Sequence, residues 1–186
     1  MNRMETAAVK KCVDKLLARQ EPGLLVPKGP WNDELQRQIR ALDPGKDPNP
    51  LALQAALLLW NDDLDGCHTI AQDLDDPHGA YLHGVMHRRE PDYGNSKYWF
   101  RRVGAPPLFP ALRTAALEIL SEAPASDPYK KALEKNPDWD PFRFVDWCES
   151  AAEEREVAFL RALQAVELQG MTYFWMDRCS VPRPRP

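Results

Sequence analysis

The chain has 186 residues, a formal net charge of −4 and 44% hydrophobic residues, the composition of an ordinary globular domain rather than a disordered or fibrous chain. Mild acidity removes the electrostatic basis for nucleic-acid binding, which calls for a clustered basic surface, and no stretch reaches the ~18 apolar residues that a membrane span needs. The four cysteines, Cys12, Cys67, Cys148 and Cys179, lack Cys-x-x-Cys spacing, so free thiols in a reducing, cytoplasmic setting are expected rather than a thiolate zinc site.

Residues 1–20 carry Lys10, Lys11, Asp14 and Lys15 without a long apolar run, unlike a signal peptide. Eighteen prolines punctuate the chain, and because proline breaks helix interiors but suits first turns, the runs between them are expected to be helices. Residues 4–19 read as the first, with Val9, Cys12, Val13, Leu16 and Leu17 at helical spacing. A Pro/Gly loop follows, and Asn32 is the expected cap of a short helix through residue 42.

After a linker at 43–49, Asn49-Pro50 reads as cap and first helical residue. The run 51–60 is apolar nearly all round, so its helix is expected to be central. A turn at 62–66 and a helix at 67–73 complete a hairpin. The next stretch repeats the plan at an offset of 29 residues: Pro77 recurs as Pro106, Asp63-Leu64 as Asp92-Tyr93, and Ile70-Ala71 as Trp99-Phe100. Residues 108–121 supply a further helix, 124–141 read as irregular, and 142–177 hold one or two long helices. No convincing period-two alternation appears, so the expected fold is all-α. It consists of two tandem antiparallel helical hairpins (49–106) between N-terminal helices with a linker (1–48) and C-terminal helices (107–180). These form one domain, with a disordered tail at 181–186.

The segment 79–104, with Gly84, Val85-Met86, Asp92-Tyr93 and Tyr98-Trp99-Phe100, resembles a tetratricopeptide or Sel1-like hairpin. Residues 50–105, and above all 87–102, resemble a stretch in uncharacterised bacterial proteins of this helical type. The resemblance implies a fold and no activity.

Chemistry-bearing side chains concentrate at 81–102. His83, His87 and Glu90 fall within an arc of about 60° on a helical wheel, opposite Tyr81, Leu82, Val85 and Met86. At the 29-residue offset Gln54 and Asn61 match His83 and Glu90, so stacked hairpins are expected to line a polar groove with Gln54, Asn61, His83, His87 and Glu90. The first functional reading is therefore an interaction module whose groove binds a peptide, a protein or a small anionic ligand, without metal or turnover.

The second reading rests on two His at i and i+4, which can meet one metal ion. It is a zinc- or iron-type enzyme using His83, His87 and Glu90, with His68 as a further candidate ligand that would complete a triad. His68 maps to the second helix of the preceding hairpin, beside Gln72, a position that weakens the three-His picture. A third reading takes Arg88, Lys97, Arg101 and Arg102 as a phosphate or nucleotide site, since Arg binds such groups in bidentate fashion. The bland alternatives weigh more in two places. The histidines can satisfy buried polar groups between hairpins, and Arg88 and Arg89 can pair with Asp62, Asp63, Asp73, Asp75 or Asp76 of the preceding hairpin. The Asp-rich turn at 62–66 lacks the length and closing Glu of an EF-hand, and no phosphate loop or nucleophile elbow is present.

Overall fold

Residues 52–60 contain no charged side chain and every one of them is buried, which makes their helix the axis of the molecule. In the computed structural model, which describes residues 4–104, 106, 108–124 and 127–184, no strand occurs among those residues. The elements are α1 (Thr6–Leu17), α2 (Asp33–Arg40), α3 (Pro48–Trp60), α4 (Leu64–Ala71), α5 (Pro77–Arg89), α6 (Tyr93–Phe100), α7 (Leu108–Ile119), α8 (Pro128–Lys135), α9 (Pro141–Ser150) and α10 (Glu154–Arg178). Around α3 pack α1, α2, α4, α5 and α10; α5 is covered by α6, α6 by α9, and α7 lies on α10.

Aspartate and proline set the starts. Four helices begin with Asp at the cap and Pro at the first helical position, at 47–48, 76–77, 127–128 and 140–141. The proline has no N–H to leave unpaired, and at all of these starts but Asp47 the Asp carboxylate takes up the free amides behind it. Asp76 accepts from His78 N at 2.9 Å and Gly79 N at 2.8 Å, and Asp127 and Asp140 do the same for their helices. Asp63 caps α4 through Gly66 N at 3.0 Å, and Asp92 caps α6 through Asn95 N at 3.1 Å.

These caps correct several expected boundaries. The central helix starts at Pro48 rather than after Asn49, because Pro48 already suits the first helical position two residues earlier, although Asp47 makes no side-chain cap bond. Asp63 is a cap rather than a turn residue, so α4 begins at Leu64 and not at Cys67. Residues 128–135, expected to be irregular, form α8 behind the Asp127-Pro128 start. The tail is ordered through residue 184: Val181 is buried and its N–H reaches Met176 O at 2.8 Å, and Arg183 pairs with Asp177 over the Tyr173 ring. Residues 185 and 186 of the expected tail lie outside the described residues.

The helix pairs α3–α4 and α5–α6 match in length, 13 and 8 residues in each case. Gly84 lets the second pair close, since a Cβ there would sit 2.9 Å from the Phe100 ring. The Ser96 hydroxyl, buried on α6, donates to Gly84 O at 2.6 Å across the same approach.

Two consecutive arginines at the end of α5 are almost wholly buried. Neighbouring helix residues point about 100° apart, and the two guanidiniums serve different sides of the molecule. Arg88 pairs with Glu167 of α10 and lies 4.0 Å from the centroid of the Phe144 ring on α9; Tyr81 donates to the same carboxylate at 3.0 Å. Arg89 pairs with Asp62 in the α3–α4 turn and donates to Leu59 O at 2.6 Å and to Leu24 O at 3.3 Å. Asp62 also holds Arg19 at 2.8 Å, while Asp63 holds Arg40 at 2.8 Å and Gln36 at 2.9 Å. The partner of Arg89 is thus among the acidic residues expected for it, and that of Arg88 is not.

Removing one member of a buried ion pair strands the other charge in a medium that solvates it poorly, at a cost of about 3–5 kcal/mol. Glu167→Ala is therefore expected to lower the unfolding free energy by that order in a denaturant titration. The double variant Arg88→Met with Glu167→Leu should lose much less, because no charge is left unpaired.

Candidate functional site

Of the five residues expected to line a groove, two do not. Gln54 is buried on α3 and its amide donates to Ile39 O at 2.9 Å and Leu42 O at 3.0 Å. Asn61, fully buried at the end of α3, donates its side-chain amide to Asn32 O at 3.1 Å, and its backbone carbonyl accepts from Trp31 N at 2.8 Å. Both polar groups fasten the chain around α2. The side of α3 that carries them is covered rather than open, so the continuous groove expected from the 29-residue offset does not form.

The basic set is also divided. Arg88 is enclosed against Glu167. Lys97 is held between Asp146 at 2.6 Å and Glu149 at 3.3 Å, both on α9. Arg101 and Arg102 are exposed, and Arg102 lies over the rings of Tyr98 (4.9 Å) and Trp99 (5.3 Å). The four cations expected together as a phosphate site thus do four different things.

What the fold does gather is imidazole. Packing of α4 on α5 brings His68 to 5.4 Å from His83 and 5.8 Å from His87, centroid to centroid, and His83 lies 6.0 Å from His87. His68, the candidate third imidazole, thus lies beside the other two, because α4 packs on α5. His83 and His87 are buried while His68 is exposed. Trp99 of α6 stacks on His83 at 4.0 Å with 12° between the planes, and Asn95 of α6 places its amide nitrogen 3.1 Å from His87 Nε2. The three imidazoles, Trp99 and Asn95 together make a cluster spanning α4, α5 and α6.

Each buried imidazole is oriented through Nδ1. For His83 the partner is Gly79 O at 3.0 Å, and for His87 it is a Glu90 carboxylate oxygen at 3.0 Å. A carbonyl only accepts, so Nδ1 of His83 carries the proton and Nε2 its lone pair; the Glu90 carboxylate favours the same tautomer in His87. Burial holds the pKa of His83 below its ordinary value, against the Gly79 bond and helped by the neighbouring His68 and His87. Burial also lowers that of His87, against the pull of Glu90 and Asp92. Both rings are consequently neutral at pH 7. As placed, no group of three or more His, Cys, Asp or Glu among the described residues is set to hold a metal ion.

Comparison with protein-family models, curated proteins and solved structures finds no match for this chain. The cluster has to be read from its own geometry. Trp99 and Asn95 are the members that sequence reasoning missed. Trp99 is half-buried, with one ring face given to His83. Asn95 has no sequence signal, because its role depends on how α6 sits against the end of α5.

A histidine whose folded pKa lies below its unfolded value of 6.5 stays neutral in the fold while the unfolded chain takes up the proton. Its contribution to stability is complete above about pH 6.5 and is lost as the pH falls below that value. The expected result is that the wild-type melting temperature declines between pH 7 and pH 5 more steeply than that of a His83→Gln/His87→Gln variant.

Proposed function

We propose that this chain is a Sel1- or tetratricopeptide-like helical module that binds a ligand at the imidazole–indole cluster of α4, α5 and α6, and that its task is recognition rather than turnover. The repeat reading is supported by the two helix pairs of equal length at a 29-residue offset, each second helix capped by an Asp at the equivalent position, Asp63 and Asp92. The binding reading rests on one observation above all: three imidazoles and an indole from three helices meet at one place, and one of those imidazoles, His68, is exposed. A cluster serving only the core has no need of an exposed member.

The rim favours an anionic ligand. Tyr98 is 45% exposed, Arg102 lies over it, and Arg101 is free of the ion pairs that occupy Lys97 and Arg88. A carboxylate-bearing peptide or protein segment, or a small anion, would meet guanidinium at the rim and the exposed His68 imidazole as a further donor. Neither the overall charge nor a two-arginine rim suits nucleic acid.

Titration of isotope-labelled protein with inorganic phosphate, citrate and an oligoglutamate peptide tests this. The expected outcome is saturable shifts of the His68, His87, Asn95 and Trp99 resonances for at least one of the three, weakened about tenfold or more by Arg102→Ala. Uniform, unsaturable drift across the surface would remove the proposal.

A further inference from the structure

We propose that the groove where the end of α7 meets the starts of α8 and α10 is a docking site for an apolar peptide segment of a partner protein that carries a lysine or arginine. The groove is built from the C-terminal half of the chain and does not depend on ligand binding at the imidazole cluster.

Helix packing creates it. Leu108, at the start of α7, meets Gly170, whereas Ile119 and Leu120, at the other end, share a cavity with Ala158 and Ala162. The helices α7 and α10 therefore run antiparallel. Gly170 lets them close at the first end, since a Cβ there would lie 2.6 Å from the Leu108 side chain. At the second end Ala158 and Ala162 stand one turn apart on the same face of α10, and their methyl groups are too short to fill the space beside α7. A cavity of about 440 Å³ remains. Its walls include Ala123, Pro124 and Phe159 as well, and Ile119 is 39% exposed. A second cavity, of about 250 Å³, shares Leu120, Arg155 and Phe159 with the first and continues to Asp127 and Tyr129 at the start of α8. Apolar surface left open in this way and rimmed by charge marks interaction sites.

The charge of the walls selects the occupant. The carboxylates of Glu122, Asp127, Glu153 and Glu156 border the two cavities against one cation, Arg155. That cation is tied to the buried Asp127. Lys130, close by, is held on Ser121 O at 3.2 Å and Ala123 O at 3.1 Å. The Tyr129 hydroxyl registers the negative excess: its pKa is pushed up to about 12, by burial first and then by Glu156 and Asp127. A ligand ammonium or guanidinium entering the second cavity meets carboxylates and the rings of Tyr129 and Phe159, the two kinds of group that attract it. The first cavity takes an apolar side chain. A segment with both residue types a short distance apart fits the pair, and an acidic segment is repelled.

The experiment is selection of a displayed library of random short peptides on the full-length protein, with the selected sequences resynthesised and their affinities measured by fluorescence polarisation. The selected peptides are expected to share an apolar residue and a Lys or Arg. Ala158 is exposed, so Ala158→Arg should keep the wild-type melting temperature while it obstructs the groove and weakens the peptides about tenfold or more. Glu122→Gln and Glu153→Gln should each weaken them by about twofold to fivefold, and raising the salt concentration should shrink that difference.

Selected peptides that are acidic overturn the proposal. So does affinity for Ala158→Arg within about twofold of wild type, or a library that yields no peptide able to tell the two apart. Sedimentation of the wild type tests a second copy as the occupant: a dimer that Ala158→Arg dissociates would place this chain in its own groove and overturn the assignment to a partner protein.

Discussion

Arg88 and Arg89 hold this molecule together from one point. A pair of adjacent buried guanidiniums is costly to desolvate, and the fold tolerates them only because each finds a carboxylate and further polar or aromatic neighbours. Arg88 reaches Glu167 on α10 and the Phe144 ring on α9. Arg89 reaches Asp62, Leu59 O and Leu24 O. Through the first, the C-terminal helices are docked on α5. Through the second, the end of α3, the α3–α4 turn and the loop after α1 are drawn to the same helix. The left-handed backbone of Asp62, at φ 65°, fits this account: the turn adopts a costly conformation for a non-glycine residue, and its carboxylate is met by both Arg89 and Arg19.

Ion pairing also explains why the histidines, and not the arginines, make the candidate site. The cations at the end of α5 and on α6 are mostly consumed: Arg88 and Arg89 by the core, Lys97 by Asp146 and Glu149 of α9. What remains open toward solvent is the His68 imidazole on α4, with the two buried rings of α5 beside it, the indole of Trp99 stacked on one of them and Arg102 over the indole. Burial keeps two of the three rings neutral, the form in which a lone pair can be offered to a proton donor or an ion.

The sequence carried the helical class through its proline spacing and the absence of strand alternation, and the burial of α3 through its unbroken apolar run. The Asp-Pro starts were legible in principle. The step at 127–128 was passed over because several other prolines stand close by, and that at 47–48 because Asn49-Pro50 mimics it. The site was legible only in part. His83 and His87 share a face by arithmetic, but whether that face is open depends on which helix lies across it. A helical wheel knows nothing of α2, α6 or α10. The same limit buried Gln54 and Asn61, whose amides look like ligands in the sequence and prove to be ties to the backbone around α2. It also hid Glu167 as the partner of Arg88, since a residue 79 positions away leaves no local trace.

The reach of α10 has a kinetic side. Its Arg161 donates to Gly23 O at 3.1 Å and its Gln164 to Leu24 O at 3.0 Å, across 138 and 140 residues. The loop after α1 therefore waits for α10 before these two carbonyls are satisfied. Until then α3, the most apolar helix in the chain, is covered on some sides and bare on the one that α10 will occupy. Contacts of such long sequence separation are slow to close, and the nascent chain passes through a stage with a greasy helix in view. Emergence of α10, more than the pairing of any two earlier helices, is what commits the chain to its native state.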